Sequence, residues 1–385
     1  MSNYFTDEQI SLLAKAKTEK KYIHLKNENQ SLKDIMDLNH LNKLISMHNC
    51  WNQKNFSLVL DKNIIPFANY STSGDELGFS NISPDPFKVE NYIKKGASLV
   101  LNDLIYLSKD IEKLAIDLQN VTNGKCQANL YFSMQSHQAF APHFDTHDVF
   151  ALHCDGEKVW NIYENFEQDP INHPIFKNTL DERTKKSGKI IEQILLKPGD
   201  LLYLPRGQFH DALASKNGTV HLAFGITYMK PLDIFQYYWE EFIVNEYFRS
   251  DIKEISSINN VKEIHDNISK EVNKILNNQQ LYEHSLKFFN NWPYKLTGYN
   301  IEKIVNDGVQ YEISKNISIL VEGDNLFLSN EKTKVPVPEK FLEITRFTFE
   351  NKVISHNLIK NNFSGLKDET IIEFIDAMKN MKVFV

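Results

Sequence analysis

Two short segments of the chain concentrate the residue types that hold metal ions. The first reads His143-Phe-Asp145-Thr-His147-Asp148-Val-Phe150, and the second reads Pro205-Arg-Gly207-Gln-Phe-His210. On a β-strand, residues i and i+2 point to the same side, so His143 and Asp145 can grip one ion together. His210 lies just beyond the apolar run Leu201–Leu204. In a barrel that run can lie beside the first segment and bring a second imidazole to the ion. Two neutral imidazoles and one carboxylate on one face of an octahedron leave three positions open, as in the facial triad of non-haem iron(II) oxygenases. The HxD pattern alone arises often by chance. Followed by PRGxxH after the turn Lys197-Pro-Gly-Asp200, it is much more specific. The bland alternative is a degenerate barrel that binds metal without turnover, or binds none.

The residues around these segments read as a barrel. From about residue 126 to 230 the sequence consists of short strands separated by turns. Asn129, Tyr131 and Ser133 share one strand face, with Leu130, Phe132 and Met134 on the other. Residues 149–153 and 157–163 flank Asp155-Gly156 and predict a hairpin. Further on, Val220, Leu222, Phe224 and Ile226 point one way, and His221, Ala223, Gly225 and Thr227 the other. A face of small residues with one histidine suits the inner wall of a barrel with room for a ligand. These features predict an α+β protein built on a double-stranded β-helix, or jelly-roll, barrel.

The flanks are more helical. Thr6 and Gln9 can form a capping box ahead of Ile10, Leu13 and Ala14. Ile35, Leu38, Leu41, Leu44 and Ile45 recur at helical spacing after Ser31, Gly96 ends a short helix, and 98–101 reads as a buried strand. Residues 103–118 predict a helix with Ile111, Leu114, Ala115 and Leu118 on one side. Beyond the barrel, Ile234, Phe235, Tyr238, Trp239, Phe242 and Ile243 form a wide apolar stripe, and Ile264, Ile268, Val272 and Ile275 a second. Both must be buried against something, and a second copy of the chain, gripping Tyr238 and Phe242, is the expected cover. From 295 to the end a small α+β module is expected, with strands near 317–321, 326–328 and 341–347 and a last helix over 368–378.

Composition narrows the function. Of 385 residues, 42% are apolar and 24% charged, as in ordinary globular proteins. The net charge of −7 offers no concentrated basic face for phosphates. Residues 295–385 carry 11 Lys and 1 Arg against 13 acidic residues, so a duplex-reading role for that module is disfavoured. No apolar run approaches a membrane span of roughly 18 residues. The first residues lack a secretory pattern, and three cysteines without CxxC spacing indicate neither a disulfide framework nor a zinc site. A cytoplasmic location is the simplest expectation.

Taken together, the chain resembles the cupin-like branch of the Jumonji-C (JmjC) oxygenases, which includes ribosomal-protein hydroxylases of bacteria and eukaryotes. The resemblance rests on GASLVLN at 96–102, NLYFS at 129–133, PHFDTHDVFAL at 142–152, GEKVW at 156–160, KPGDLLYLPRGQFH at 197–210 and HLAFGIT at 221–227. Order and spacing agree across the barrel. The resemblance implies a catalytic domain over residues 1–230, a helical dimerisation region over 231–290 and a winged-helix-like module over 295–385. It implies iron(II) held by His143, Asp145 and His210, with O2 and 2-oxoglutarate as cosubstrates. Lys158 is implied to pair with the distal carboxylate of 2-oxoglutarate; a buried lysine on an inward face needs such an anion. Tyr131 and Asn129 are implied as hydrogen-bonding partners of the same cosubstrate. His221 reads either as a substrate or cosubstrate contact or as a structural histidine. His147, His153 and His137 crowd the site without calling for a second metal. Asp148 reads as orienting a ligand or as a cap, Arg206 as structural and Cys154 as packing.

Two departures touch the substrate question. His153 stands where relatives commonly carry Gln, and the loop 136–140 (SHQAF) differs from the usual Ser-Gln-Gly. The expected activity is hydroxylation of an amino-acid side chain, such as arginine or histidine of a ribosomal protein, with a precursor peptide close behind. The rivals are a non-catalytic metal-binding cupin scaffold and a small-molecule hydroxylase. A histone demethylase is disfavoured, because no chromatin-reader module or basic patch accompanies the barrel. A homodimer is expected, with no membrane or nucleic-acid partner.

Overall fold

The computed structural model describes residues 4–26, 30–76, 79–134, 140–177, 179–214, 218–252, 255–290, 305, 308–323, 325–330 and 333–384. It divides into two compact units, residues 1–296 and 297–385.

Two antiparallel sheets form the barrel of the first unit, beside a separate two-stranded sheet, Ser71–Glu76 with Phe79–Pro84. The larger has the strand order Ile23–Leu25, Leu201–Leu204, Asp148–Asp155, Thr219–Thr227, Lys125–Ser133, Ser98–Leu101, Phe56–Leu60 and Asn63–Ile64. The smaller runs Ile190–Leu196, Lys158–Phe166, Gln208–Ala214. The larger sheet is covered on both sides, which is why Asp148–Asp155 is buried almost throughout rather than at alternate positions. Its outer face carries Leu130, Phe150, Leu152, Leu222, Phe224 and Ile226, which pack with Ile111, Leu114 and Leu118 of the helix Lys109–Thr122. Each such side chain contributes roughly 1.5–3 kcal/mol by leaving water. Its inner face carries Val149 and Ala151, which meet Trp160, Ile162, Ile194 and Leu196 across the barrel. This is a barrel of two facing antiparallel sheets with mixed α and β content, as the motifs implied. At the N-terminus the Thr6–Gln9 capping box is formed on both sides.

Several expectations are corrected. Asp155-Gly156 does not close a hairpin: Asp148–Asp155 pairs with Leu201–Leu204 and Thr219–Thr227, while Lys158–Phe166 pairs with Ile190–Leu196 and Gln208–Ala214. A turn dipeptide encodes a reversal of direction, and here the reversal carries the chain from one sheet to the other. Leu201–Leu204 lies beside the first segment as expected, with Tyr203 opposite Phe150, but His210 is not carried on its end. It lies within its own strand, Gln208–Ala214, in the opposite sheet. The stripe from Ile35 to Ile45 is split into Gln30–Lys33 and Leu38–Ile45, because the Asp37 carboxylate caps the second helix by accepting from the His40 amide at 2.7 Å.

After the barrel come the helices Pro231–Tyr237, Trp239–Val244, Glu246–Arg249, Ile258–Leu276 and Gln279–Asn290. Tyr238 and Phe242 were expected to face a partner but are buried within the chain, packed with Leu281, Val272 and Ile275. The side left in water carries Leu232, Phe235, Trp239 and Ile243 instead. No helix among the described residues is long and apolar enough to cross a membrane.

In the second unit, strands Ser318–Glu322, Asn325–Ser329 and Lys334–Pro336 form a sheet, and helices Leu342–Asn351, His356–Asn362 and Asp368–Asn380 surround a core that includes Leu326, Ile344, Ile354 and Phe374. The strand expected over 341–347 is a helix. Phe341, Ile344, Thr345 and Thr348 are its buried positions, a spacing of three and four that a short apolar run does not distinguish from a strand.

Candidate active site

The backbone stitches the two metal-type segments together. His143 and His210 form an isolated antiparallel bridge, with His143 N donating to the His210 carbonyl at 3.0 Å and His210 N donating to that of His143 at 2.8 Å. Gly207 N donates to the Asp145 carbonyl at 3.0 Å. Gly207 has φ +97°, and a Cβ there would lie 2.0 Å from the Glu167 carbonyl oxygen. Glycine is therefore required in the turn that delivers His210.

Donor atoms of His143, Asp145 and His210 come within 4.8 Å of one another. His143 Nδ1 lies 2.9 Å from the Ala141 carbonyl and His210 Nδ1 3.0 Å from that of Gln208, so each ring's Nδ1–H is directed at backbone. Each Nε2 is then free as a lone-pair donor, and that of His210 lies 3.6 Å from Asp145 Oδ2. Burial, with His143 beside it, pushes the His210 imidazole down to about 4, so it is neutral at neutral pH as a metal ligand must be. Burial pushes the Asp145 carboxyl up, but His143, His210 and His147 pull it further down, and it ends below its ordinary value. The donor set fits a divalent metal of the facial-triad type.

The triad opens into a cavity of about 230 Å3 between the two sheets. The inward positions of five strands line it: Asn129, Tyr131 and Ser133; Val149; Lys158 and Trp160; His210 and Ala212; His221, Ala223 and Gly225. Lys158 Nζ donates to Ser133 Oγ at 3.2 Å and sits 3.5 Å from His221 Nδ1. Burial lowers its pKa to about 7 and drives that of His221 well below the ordinary histidine value. The His221 ring stacks on Tyr131, its cross-strand partner, with centroids 4.8 Å apart and planes at 8°. Burial also raises the Tyr131 hydroxyl far above its usual range. All seven residues singled out from the sequence thus line one cavity, with a cation at the inner end and the triad at its wall.

Other expectations resolve unevenly. Asp148 is buried and accepts from Tyr203 Oη at 2.9 Å and from Arg206 N at 2.8 Å, so it ties the PRG turn to the sheet. Arg206 pairs with Asp169 at 2.9 Å. His147 lines the cavity with its ring against Gly225, where a Cβ would come within 2.9 Å. His153 is fully buried, and burial lowers it to about 4 against a smaller opposing effect of the Gly156 backbone. The loop residues 136–139, with His137, lie outside the described residues.

One site residue escaped the sequence reading. Trp160 stacks on His210 at 5.6 Å and meets His221 edge-on at 5.5 Å, holding both rings. Its signal was its place two residues from Lys158, hence on the same strand face.

A family model described as JmjC domain matches residues 105–234, the stretch that carries the barrel and the triad. The chain is homologous to the Drosophila persimilis protein named bifunctional lysine-specific demethylase and histidyl-hydroxylase NO66, 30% identical over 172 residues, which are 42% of this chain and 24% of that protein. The chain thus spans about a quarter of that relative's length. The X-ray structure of E. coli ycfD shares the fold at a TM-score of 0.52 and 16% identity, over 100% of this chain and 99% of that one. A structure of YcfD, a ribosomal oxygenase from Escherichia coli, in complex with cobalt and succinic acid, matches at 0.50 and 16% identity over 95% of each chain.

Proposed function

We propose that the chain is an iron(II)- and 2-oxoglutarate-dependent dioxygenase that hydroxylates an amino-acid side chain of a protein or peptide. The observation that carries this reading is the pairing of two backbone-anchored histidines and Asp145 with a buried, anion-seeking Lys158 in one cavity. His143, Asp145 and His210 would hold iron(II). Together with O2 and 2-oxoglutarate, bound iron supplies the oxidising power for C–H hydroxylation, the cosubstrate ending as succinate and carbon dioxide. The chain's own residues position and enclose. Lys158 pairs with the distal carboxylate, with Ser133 and His221 beside it. Tyr131 and Asn129 offer polar groups along the wall, and Trp160 keeps water from the inner end. A scaffold without turnover would have no use for the lysine. The relatives' names, histidyl-hydroxylase and ribosomal oxygenase, and the cobalt and succinic acid bound by the structural neighbour support hydroxylation of a protein. A precursor peptide remains the second candidate substrate. The test is mass spectrometry of cell extract and candidate peptides incubated with the protein, iron(II) and 2-oxoglutarate. A gain of one oxygen matched by succinate is expected; succinate-free extract with no oxidised product overturns the reading.

We also propose a cytoplasmic homodimer joined through residues 231–290, with the terminal unit winged-helix-like. The support is the exposed apolar side of the helices, where Phe235 is 51% and Trp239 61% accessible. Isologous packing would cover such a patch. Light scattering should give twice the chain mass of 44.8 kDa, and Phe235→Glu with Trp239→Glu should give monomers. A mass near one chain for the unmodified protein removes the dimer.

A further inference from the structure

Beside the triad lies a second cleft, of about 430 Å3, whose wall His143 shares with the metal cavity. Its apolar surface comes from Phe144, Ile171 and Phe176, and its charge from Lys177 and Arg183; among the described residues no carboxylate lines it. Arg183 is only partly exposed, and its Nε is buried with no hydrogen-bond partner among the described residues. Two acids of the neighbouring segments are engaged elsewhere. Glu182 caps its own helix by accepting from Thr179 N at 2.7 Å, and Asp169 is held by Lys20 and Arg206 at 2.8 and 2.9 Å. A guanidinium offers a planar fork matched to a carboxylate, and a partly buried one without a partner is costly to keep.

We propose that this cleft is a substrate subsite for a peptide carrying a carboxylate next to the residue placed at the triad, with Arg183 as its principal anchor and Lys177 as a second cation. The proposal rests on the hydroxylase reading and adds the substrate's charge. The apolar wall and the volume exceed what a lone small anion needs and suit a peptide side chain with its neighbours. Two cations in a chain of net charge −7 do not make a nucleic-acid track. The carboxylate can be an acidic side chain or a peptide C-terminus.

The test uses the full chain with iron(II) and 2-oxoglutarate under anaerobic conditions, read by fluorescence anisotropy. The probes are labelled synthetic nonapeptide pools identical except for Glu or Gln at alternate positions, each with a free or an amidated C-terminus. A charge-assisted pair at Arg183 should make a carboxylate-bearing pool bind roughly 10- to 100-fold more tightly than the amidated Gln pool. Preference for the amidated Glu pool assigns a side chain, and preference for the free-ended Gln pool assigns a terminus. Arg183→Gln should erase most of the difference, and Lys177→Gln, at an exposed position that leaves the fold intact, part of it. Equal binding of all pools, or a preference that both variants retain, overturns the subsite. So does displacement of the pools by a single-stranded oligonucleotide whose affinity depends on Arg183. Admitting oxygen then separates the two readings. Charge-selective binding with no oxygen gained by any peptide sinks the hydroxylase while the subsite stands, and oxygen gained without charge preference does the reverse.

Discussion

Asp145→Ala is expected to abolish iron retention and the succinate formation that depends on it. The side chain is the charged member of the donor set, and three imidazoles hold it below the ordinary carboxylate range, so it is ionised at neutral pH. Its removal leaves two imidazole rings, 4.5 Å apart between centroids, with no anion to offset a dication. Loss of a group that only orients a ligand costs roughly 10–100-fold in metal affinity, and loss of the ligand itself should cost well beyond that. The scaffold should survive. The Asp145 backbone carbonyl accepts from Gly207 N, and alanine keeps that bond. The metal-free variant should therefore change in stability by under about 1 kcal/mol. Elemental analysis after gel filtration, with succinate measured in parallel, decides it. Iron bound at one equivalent with normal succinate would remove Asp145 from the triad.

Much of this site was legible in the sequence because β-structure has a period of two. Asn129, Tyr131 and Ser133, and likewise His221, Ala223 and Gly225, were readable as one face each, and the structure turns both faces into the same cavity. The triad was legible from the HxD and PRGxxH motifs rather than from that period, since His143 sits in an isolated bridge and Asp145 in no strand. Strand partners were not. Asp155-Gly156 encodes a reversal, but whether the next strand stays in the sheet depends on where the apolar faces of 148–155 find cover, and that is a long-range question. The pairing of Leu201–Leu204 with the first segment was foreseen, but the separate strand that carries His210 was not. Residues 341–347 were too short an apolar run to separate a helix from a strand. Tyr238 and Phe242 were correctly apolar, yet which side of their helices meets Leu281 and which meets water depends on residues forty positions away. Arg183 gave no signal, because it sits among charged neighbours and its isolation from carboxylates exists only in three dimensions.

Lys158 carries the second large effect, and its pH dependence distinguishes an anion anchor from a packing lysine. Burial lowers its pKa to about 7, so in the cosubstrate-free protein about half of the lysines are neutral at pH 7. The distal carboxylate of 2-oxoglutarate binds the charged form and raises the pKa in the complex. Affinity should therefore be level below pH 7 and fall as pH rises above it, by up to about tenfold per unit until the raised pKa is reached. Stability of the cosubstrate-free protein has the opposite sign. The unfolded chain binds a proton at Lys158 between pH 7 and its ordinary value of 10.5 and the folded chain does not, so stability rises with pH through that window. Saturating 2-oxoglutarate should flatten that rise. Lys158→Ala loses a charge-assisted pair worth roughly 1.5–3 kcal/mol, hence about 10- to 150-fold in cosubstrate affinity, and keeps its iron, since no triad donor touches the lysine. It should also lose the alkaline fall, an effect that a mere gap at the inner end would not produce. Anaerobic calorimetry of 2-oxoglutarate binding from pH 6 to about 9, on both proteins, reads all of this. An Ala variant that binds as tightly as the unmodified protein, with the alkaline fall intact, would place the anchor elsewhere. Arg206 is a poor substitute, being paired with Asp169 and absent from the cavity lining.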